Sequence, residues 1–368
     1  MIHPQYYHPI FIYTILIYTL FQTSVIKSQS NKNLLYGNHS SSFSLLFCII
    51  LALFIGLRPI SGRYFGDMGT YSRLYVLLSD YGYVPSELNI EIGFAMLMYF
   101  CSRIMVVSGF FCVVSFTYFL SLFVACKRFF IKGKATWAIL FFLGAFTCWG
   151  SAVNGLRNGV ACAILVLAYS FLRENSKNKI VPILLAVLAY SMHKSTILPI
   201  LCTIVSLYYS DTKKIIYFWI LSIVISLVGG SSVANIFVGL GFDDRLDSYL
   251  QDTNDLSHQF SSTGFRFDFL LYSVVPIILG YYVVVKRKIY DFHYKLLLNT
   301  YILANSFWVM VITSSFSNRF AYLSWFLYPL ILAYPLLKFE IWSHQSKKLA
   351  IFMLGNILFT YLMFLMGK

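Results

Sequence analysis

Apolar residues along this chain come in a long series of blocks of near-spanning length, separated by short polar or basic stretches. The blocks fall at 10–26, 43–57, 108–126, 135–150, 158–172, 180–193, 195–210, 215–229, 269–285, 296–314, 320–337 and 349–366. Inside a bilayer each backbone N–H and C=O must be satisfied within its own segment, so blocks of this length predict helices rather than isolated strands. The pattern therefore predicts an all-α, polytopic integral membrane protein of about twelve transmembrane helices, with 1–368 as a single transmembrane domain. The first block follows no basic region and precedes no small-residue cleavage site, so it is expected to be retained as a span.

Charge orients this array. Hydrophobic residues make up 59% of the chain and charged ones only 11%, against about 25% in soluble domains. Basic clusters occur at Lys27/Lys32, Lys127/Arg128/Lys132/Lys134, Arg173/Lys177/Lys179, Lys213/Lys214, Lys286/Arg287/Lys288/Lys295 and Lys338/Lys347/Lys348. The positive-inside rule assigns all of them to the cytoplasm, and twelve spans with an outer N-terminus satisfy it. That arrangement requires the apolar segment 88–107, which carries Glu91 and Arg103, to be an interfacial or re-entrant helix on the outer face. The cytoplasmic side then holds the whole net charge of +14 and the outer side is neutral. The charge is thus topological, and no nucleic-acid partner is expected. Seven cysteines lie in or beside apolar blocks without CxxC or Cys/His spacing, so they read as small hydrophobes. No metal site and no cofactor is expected.

The short cytoplasmic loops leave no room for a catalytic domain, so candidate chemistry lies on the outer face, in loops 58–89 and 230–268 and at the outer helix ends. Eight of the eleven arginines fall on that side, where a planar, permanently charged fork suits phosphate or carboxylate. In "LRPISGRYFGDMGTYSRLY", Arg58, Asp67 and Tyr71 form either local polar pairs or a headgroup and sugar site. Glu91 opens the interfacial helix, either as a carboxylate favoured by the helix dipole or as a base or sugar ligand. In "SAVNGLRNGVAC", Asn154 and Arg157 are three apart and are expected to share a helix face. Arg157, with no acid near it in sequence, either snorkels to lipid phosphates or marks a functional site. His193 ends its span and is a satisfied interface residue or an acid/base group. The acid-rich loop "GFDDRLDSYLQDTNDLSHQF" adds Arg245 and Tyr249, and "NRFAYLSWF" puts Arg319 and Tyr322 where another span enters from outside.

Taken in order, Arg58 with the D-x-x-x-Y of Asp67 and Tyr71, Glu91 followed by "GF", "NGLRNGVA", "HKS", "RLDSY" and "NRFAY" resemble the EpsG family of exopolysaccharide membrane proteins, relatives of Wzy-type polysaccharide polymerases. One position departs: where the family often has glutamine after the arginine of the fifth span, this chain has Asn158. The resemblance implies a GT-C-like membrane glycosyltransferase in the bacterial cytoplasmic membrane, facing outward. It implies a polymerase for undecaprenyl-diphosphate-linked glycan, acting among membrane lipid, with a chain-length regulator protein as a further partner. Arginines 58, 157, 245 and 319, with Asn154, Tyr71, Tyr249 and Tyr322, would then bind substrate. His193, Asp67 and Glu91 are the candidates for the catalytic base. A ligase of the O-antigen type, a flippase or exporter, and an acyltransferase using His193 are the competing readings.

Overall fold

The computed structural model describes residues 2–82, 90–172, 174, 179–238, 265–313 and 317–367. Every regular element among the described residues is helical. In chain order these are α1 (Tyr7–Lys27), α2 (Asn31–Tyr36), α3 (Ser42–Gly56), α4 (Gly62–Phe65), α5 (Met68–Tyr81), α6 (Ile92–Ile104), α7 (Val107–Phe129), α8 (Ala135–Leu143), α9 (Thr147–Val153), α10 (Leu156–Tyr169) and α11 (Ile180–Met192). They continue with α12 (Ile197–Tyr208), α13 (Thr212–Val238), α14 (Phe267–Gly280, extended by a π-helical turn to Lys286), α15 (Phe292–Met310), α16 (Asn318–Trp325), α17 (Tyr328–Lys338) and α18 (Gln345–Leu365).

Among the described residues six helices are long and apolar enough to cross a membrane, or seven if α8 and α9, bent by 79° at a short break, count as one broken span. Five other apolar blocks form shorter helices, at Ser42–Gly56, Ile92–Ile104, Leu156–Tyr169, Ile180–Met192 and Lys194–Tyr208. The chain is a polytopic helical membrane protein. It divides into two compact units, Met1–Thr196 with Leu332–Lys368, and Ile197–Ile331.

In the first unit α3 and α10 pack along α7, α11 packs on α10, and α18 lies along α1. All nine residues of α8 are buried, as expected of a helix hydrophobic on every side. α6 is two-faced in a different sense. Ile92, Met96, Phe100 and Ile104 are exposed at a spacing of four, while Phe94, Met98 and Cys101 are buried. Arg103, near its C-terminus, donates to the carbonyls of Leu78 and Ser79 at the end of α5.

In the second unit α15 packs against α12, α13, α14 and α16. Its buried Asn305 accepts from Trp219 Nε1 (2.7 Å) and donates to the hydroxyls of Ser273 and Ser324. Such pairing is what allows an amide inside an apolar bundle.

Candidate functional site

The site is assembled where α6 and α11 touch. Gly93 faces Ser191 so closely that a Cβ would collide with the serine side chain. A glycine there is required by the approach itself. Glu91 lies two residues before Gly93 and His193 two residues after Ser191, so this contact brings carboxylate and imidazole together. Glu91 occupies the N-cap of α6, but its side chain makes no capping bond. Its two oxygens are used elsewhere: Oε1 accepts from His193 Nδ1 at 2.7 Å and Oε2 from Arg157 Nη1.

Arg157 stands in the first turn of α10. Its Nε donates to the Tyr71 hydroxyl at 2.8 Å, and its guanidinium carbon sits 5.8 Å from the Tyr71 ring. The Tyr71 ring is packed in turn by Phe94 (5.3 Å). The side chains of Glu91, Arg157 and His193 are only 9%, 11% and 21% exposed, so the ion pair is largely shielded, with His193 the most accessible of the three. Burial by itself would raise the Glu91 carboxyl; the hydrogen bond from His193 and the charges of Arg157 and His193 outweigh it and bring the carboxyl down to about 2. Burial also pushes the Tyr71 phenol up, keeping it protonated beside the arginine that would lower it. An ionised carboxylate only accepts, so Nδ1 of His193 must carry the proton facing it. In the neutral imidazole the lone pair is then on Nε2.

Asn154 does not share a helix face with Arg157, contrary to the spacing argument. The helix is broken between them: the N–H groups of Asn154 and Gly155 both fold back to the Gly150 carbonyl (3.0 and 2.8 Å), and α10 begins anew at Leu156. Asn154 Oδ1 accepts instead from the backbone N–H of Asp67 at 3.0 Å. Gly66, at φ +54°, lies so close to that amide that a side chain has no room. Asp67 therefore contributes its backbone here, and its carboxylate is exposed.

Arg58 is 2% exposed. Its Nη1 and Nη2 donate to the carbonyls of Ile55 (2.6 Å) and Val153 (2.9 Å), which removes it from the surface where a headgroup would meet it. Asn158 Oδ1 accepts from Cys162 Sγ (3.1 Å). Arg319 and Tyr322 lie in the second unit on α16, with the Tyr322 ring against Trp325. Arg245 and Tyr249 fall outside the described residues. Sequence reasoning missed Gly93 and Ser191 as the pair that seats Glu91 beside His193; the "GF" after Glu91 was its only trace. Among the described residues no group of three or more His, Cys, Asp or Glu side chains has metal-holding geometry.

Fold and site thus define a polytopic helical membrane protein with a shielded Arg–Glu–His cluster carried on short helices. The EpsG family model matches residues 41–367, and the chain belongs to that family. Membership is consistent with a role in polysaccharide biosynthesis. No curated protein and no solved structure matches the chain.

Proposed function

We propose that the protein is a polysaccharide polymerase that joins undecaprenyl-diphosphate-linked oligosaccharide units on the outer face of the bacterial cytoplasmic membrane. The observation that carries this reading is the double use of Glu91. One oxygen holds an arginine fit for a diphosphate, and the other orients an imidazole fit to act as a base. Arg157 Nη2 makes no hydrogen bond among the described residues, because only Nε and Nη1 have partners. It is the donor available to an incoming phosphate oxygen. His193 would be the catalytic base, and Glu91 the residue that fixes its tautomer.

In the step we infer, the acceptor sugar hydroxyl attacks the anomeric carbon of the growing glycan. The bond from that carbon to the diphosphate oxygen breaks, and the electron pair leaves with the lipid diphosphate. The hydroxyl proton passes to His193 Nε2. Direct displacement inverts the anomeric centre. Guanidinium groups stabilise the charge developing on the leaving diphosphate, with Arg157 central and Arg319 and Arg245 as further contributors. The proposed reaction therefore routes no step through a metal. Membrane lipid surrounds the site, a chain-length regulator is a proposed protein partner, and a GT-C-like architecture of about twelve spans belongs to the same reading.

The test supplies purified protein with a lipid-diphosphate-linked repeat unit, without nucleotide sugars and with a chelator present. A ladder of lengthening products is expected. Transfer of one finished chain to a different acceptor, with no ladder, would replace the polymerase by a ligase.

A further inference from the structure

Arg58 is among the largest fully buried side chains of the protein, and its surroundings are unusual for a cation. The groups that hold it are two backbone carbonyls and two rings. Ile55 O lies in the last turn of α3, and Val153 O belongs to the last residue of α9. The rings of Phe65 and Phe111 flank the guanidinium at 5.2 and 5.7 Å. No ion pair joins it to a carboxylate among the described residues, and its buried Nε has no hydrogen-bond partner. Two helix C-termini, each the negative end of a dipole, thus converge on one fork-shaped donor.

Val153 is the residue immediately before the break at Asn154 and Gly155, and Arg157 stands in the first turn of the helix that follows. Asn154 fixes that turn from the other side through the Asp67 N–H. We propose that Arg58 is a positioning residue: by tying the end of α9 to the end of α3 it sets the α9–α10 break, and so places the Arg157 guanidinium against Glu91 and Tyr71. The ring sandwich fixes the plane of the fork, and the two carbonyls fix its direction. The reach of Arg58 ends at the backbone, and its effect on chemistry passes through Arg157. The inference rests on the functional reading only for its activity readout.

A substrate-free measurement tests it directly. Infrared spectra of the full-length protein in lipid nanodiscs, with ¹³C-labelled glutamate, report protonation of Glu91, whose band is identified by its loss in Glu91→Gln. Around that carboxylate stand Arg157 from α10, His193 after α11 and Tyr71 from α5. If Arg157 drifts away, the carboxylate loses a cation and takes up its proton at higher pH. In Arg58→Met the titration of Glu91 is expected to rise by more than about one pH unit, which is a tenfold change in proton affinity. Polymer yield should fall at least about tenfold with it. Arg58→Lys, which still donates to carbonyls, should recover most of both.

An unchanged Glu91 titration in both variants overturns the proposal. So does a fall in activity that appears only as a raised KM for the lipid-linked donor, since that is the signature of a headgroup ligand. Should Arg58→Met fail to accumulate, Arg58→Gln takes its place: a raised Glu91 titration supports the idea, and a wild-type titration overturns it. If wild-type protein makes no ladder, the polymerase reading fails while the infrared result still stands.

Discussion

Arg157 has no acidic neighbour in sequence, yet it meets Glu91 from 66 residues away, and His193 reaches the same carboxylate across 102. Each residue stood out in the sequence because a charged or ionisable group in an apolar setting is expensive. Their meeting did not, because it depends on the close approach at Gly93 and Ser191. The resemblance implies substrate binding for Tyr71 and Asn154, whose hydrogen bonds here go to Arg157 and to the Asp67 backbone. Arg157→Ala is expected to abolish polymer while membrane levels stay near wild type; near-normal polymer from that variant would sink the assignment. Glu91→Gln removes the charge partner of a mostly buried arginine and should cost on the order of 3 kcal/mol of stability, measured by thermal unfolding in detergent. The sign of its pH dependence follows from linkage. The carboxyl sits at about 2 rather than its ordinary 4.5, so its contribution is fully present above the ordinary value and is lost as pH falls through about 2. The gap between wild type and Glu91→Gln should therefore narrow steadily from about pH 5 downward.

At the scale of elements, the cluster is carried on helices too short to cross a bilayer alone. α10 has 14 residues and α11 has 13, each about 20 Å long at 1.5 Å per residue. α7, with 23 residues, is about 35 Å and covers the full hydrocarbon thickness of about 30 Å. Arg128 in the last turn of α7 donates to the Ser170 hydroxyl just past α10 at 3.0 Å, so the C-terminal ends of those two helices are level. Measured from that level, α10 reaches roughly 14 Å less far than α7. A spin label at Tyr190→Cys, an exposed position in the last turn of α11, should be more accessible to oxygen than to a water-soluble nickel chelate. Greater access to the chelate would return the cluster to the membrane surface. The helical blocks themselves were readable from apolar runs, because bilayer physics leaves little alternative. Their ends and bends were not: the 79° kink between α8 and α9 falls inside the apolar run 135–150, and the restart at Leu156 follows the Asn154 and Gly155 N–H groups folding back to the Gly150 carbonyl. A hydropathy window averages over such breaks.

For the whole molecule, the charge pattern bears on where the proposed chemistry sits. Placed together on one side, the basic loops account for the full net charge of +14, and the functional reading takes the arginine-rich helix ends and loops of the other side as its working face. The first unit contributes Glu91, Arg157 and His193, and Arg319 belongs to the second. If Arg319 also serves the diphosphate, as the functional reading holds, its removal should act differently from loss of His193. Arg319→Ala should raise KM for the lipid-linked donor and be eased by high donor concentration. His193→Gln should lower kcat with little change in KM, because an absent base is not replaced by more substrate. Both variants lowering kcat alone would take Arg319 out of donor binding and leave Arg157 to hold the diphosphate. A raised KM for Arg319→Ala together with a lowered kcat for His193→Gln would assign donor binding and proton transfer to different residues of the chain. Such a division suits a polymerase, which has to keep hold of a growing lipid-borne chain while accepting each new sugar hydroxyl at the imidazole.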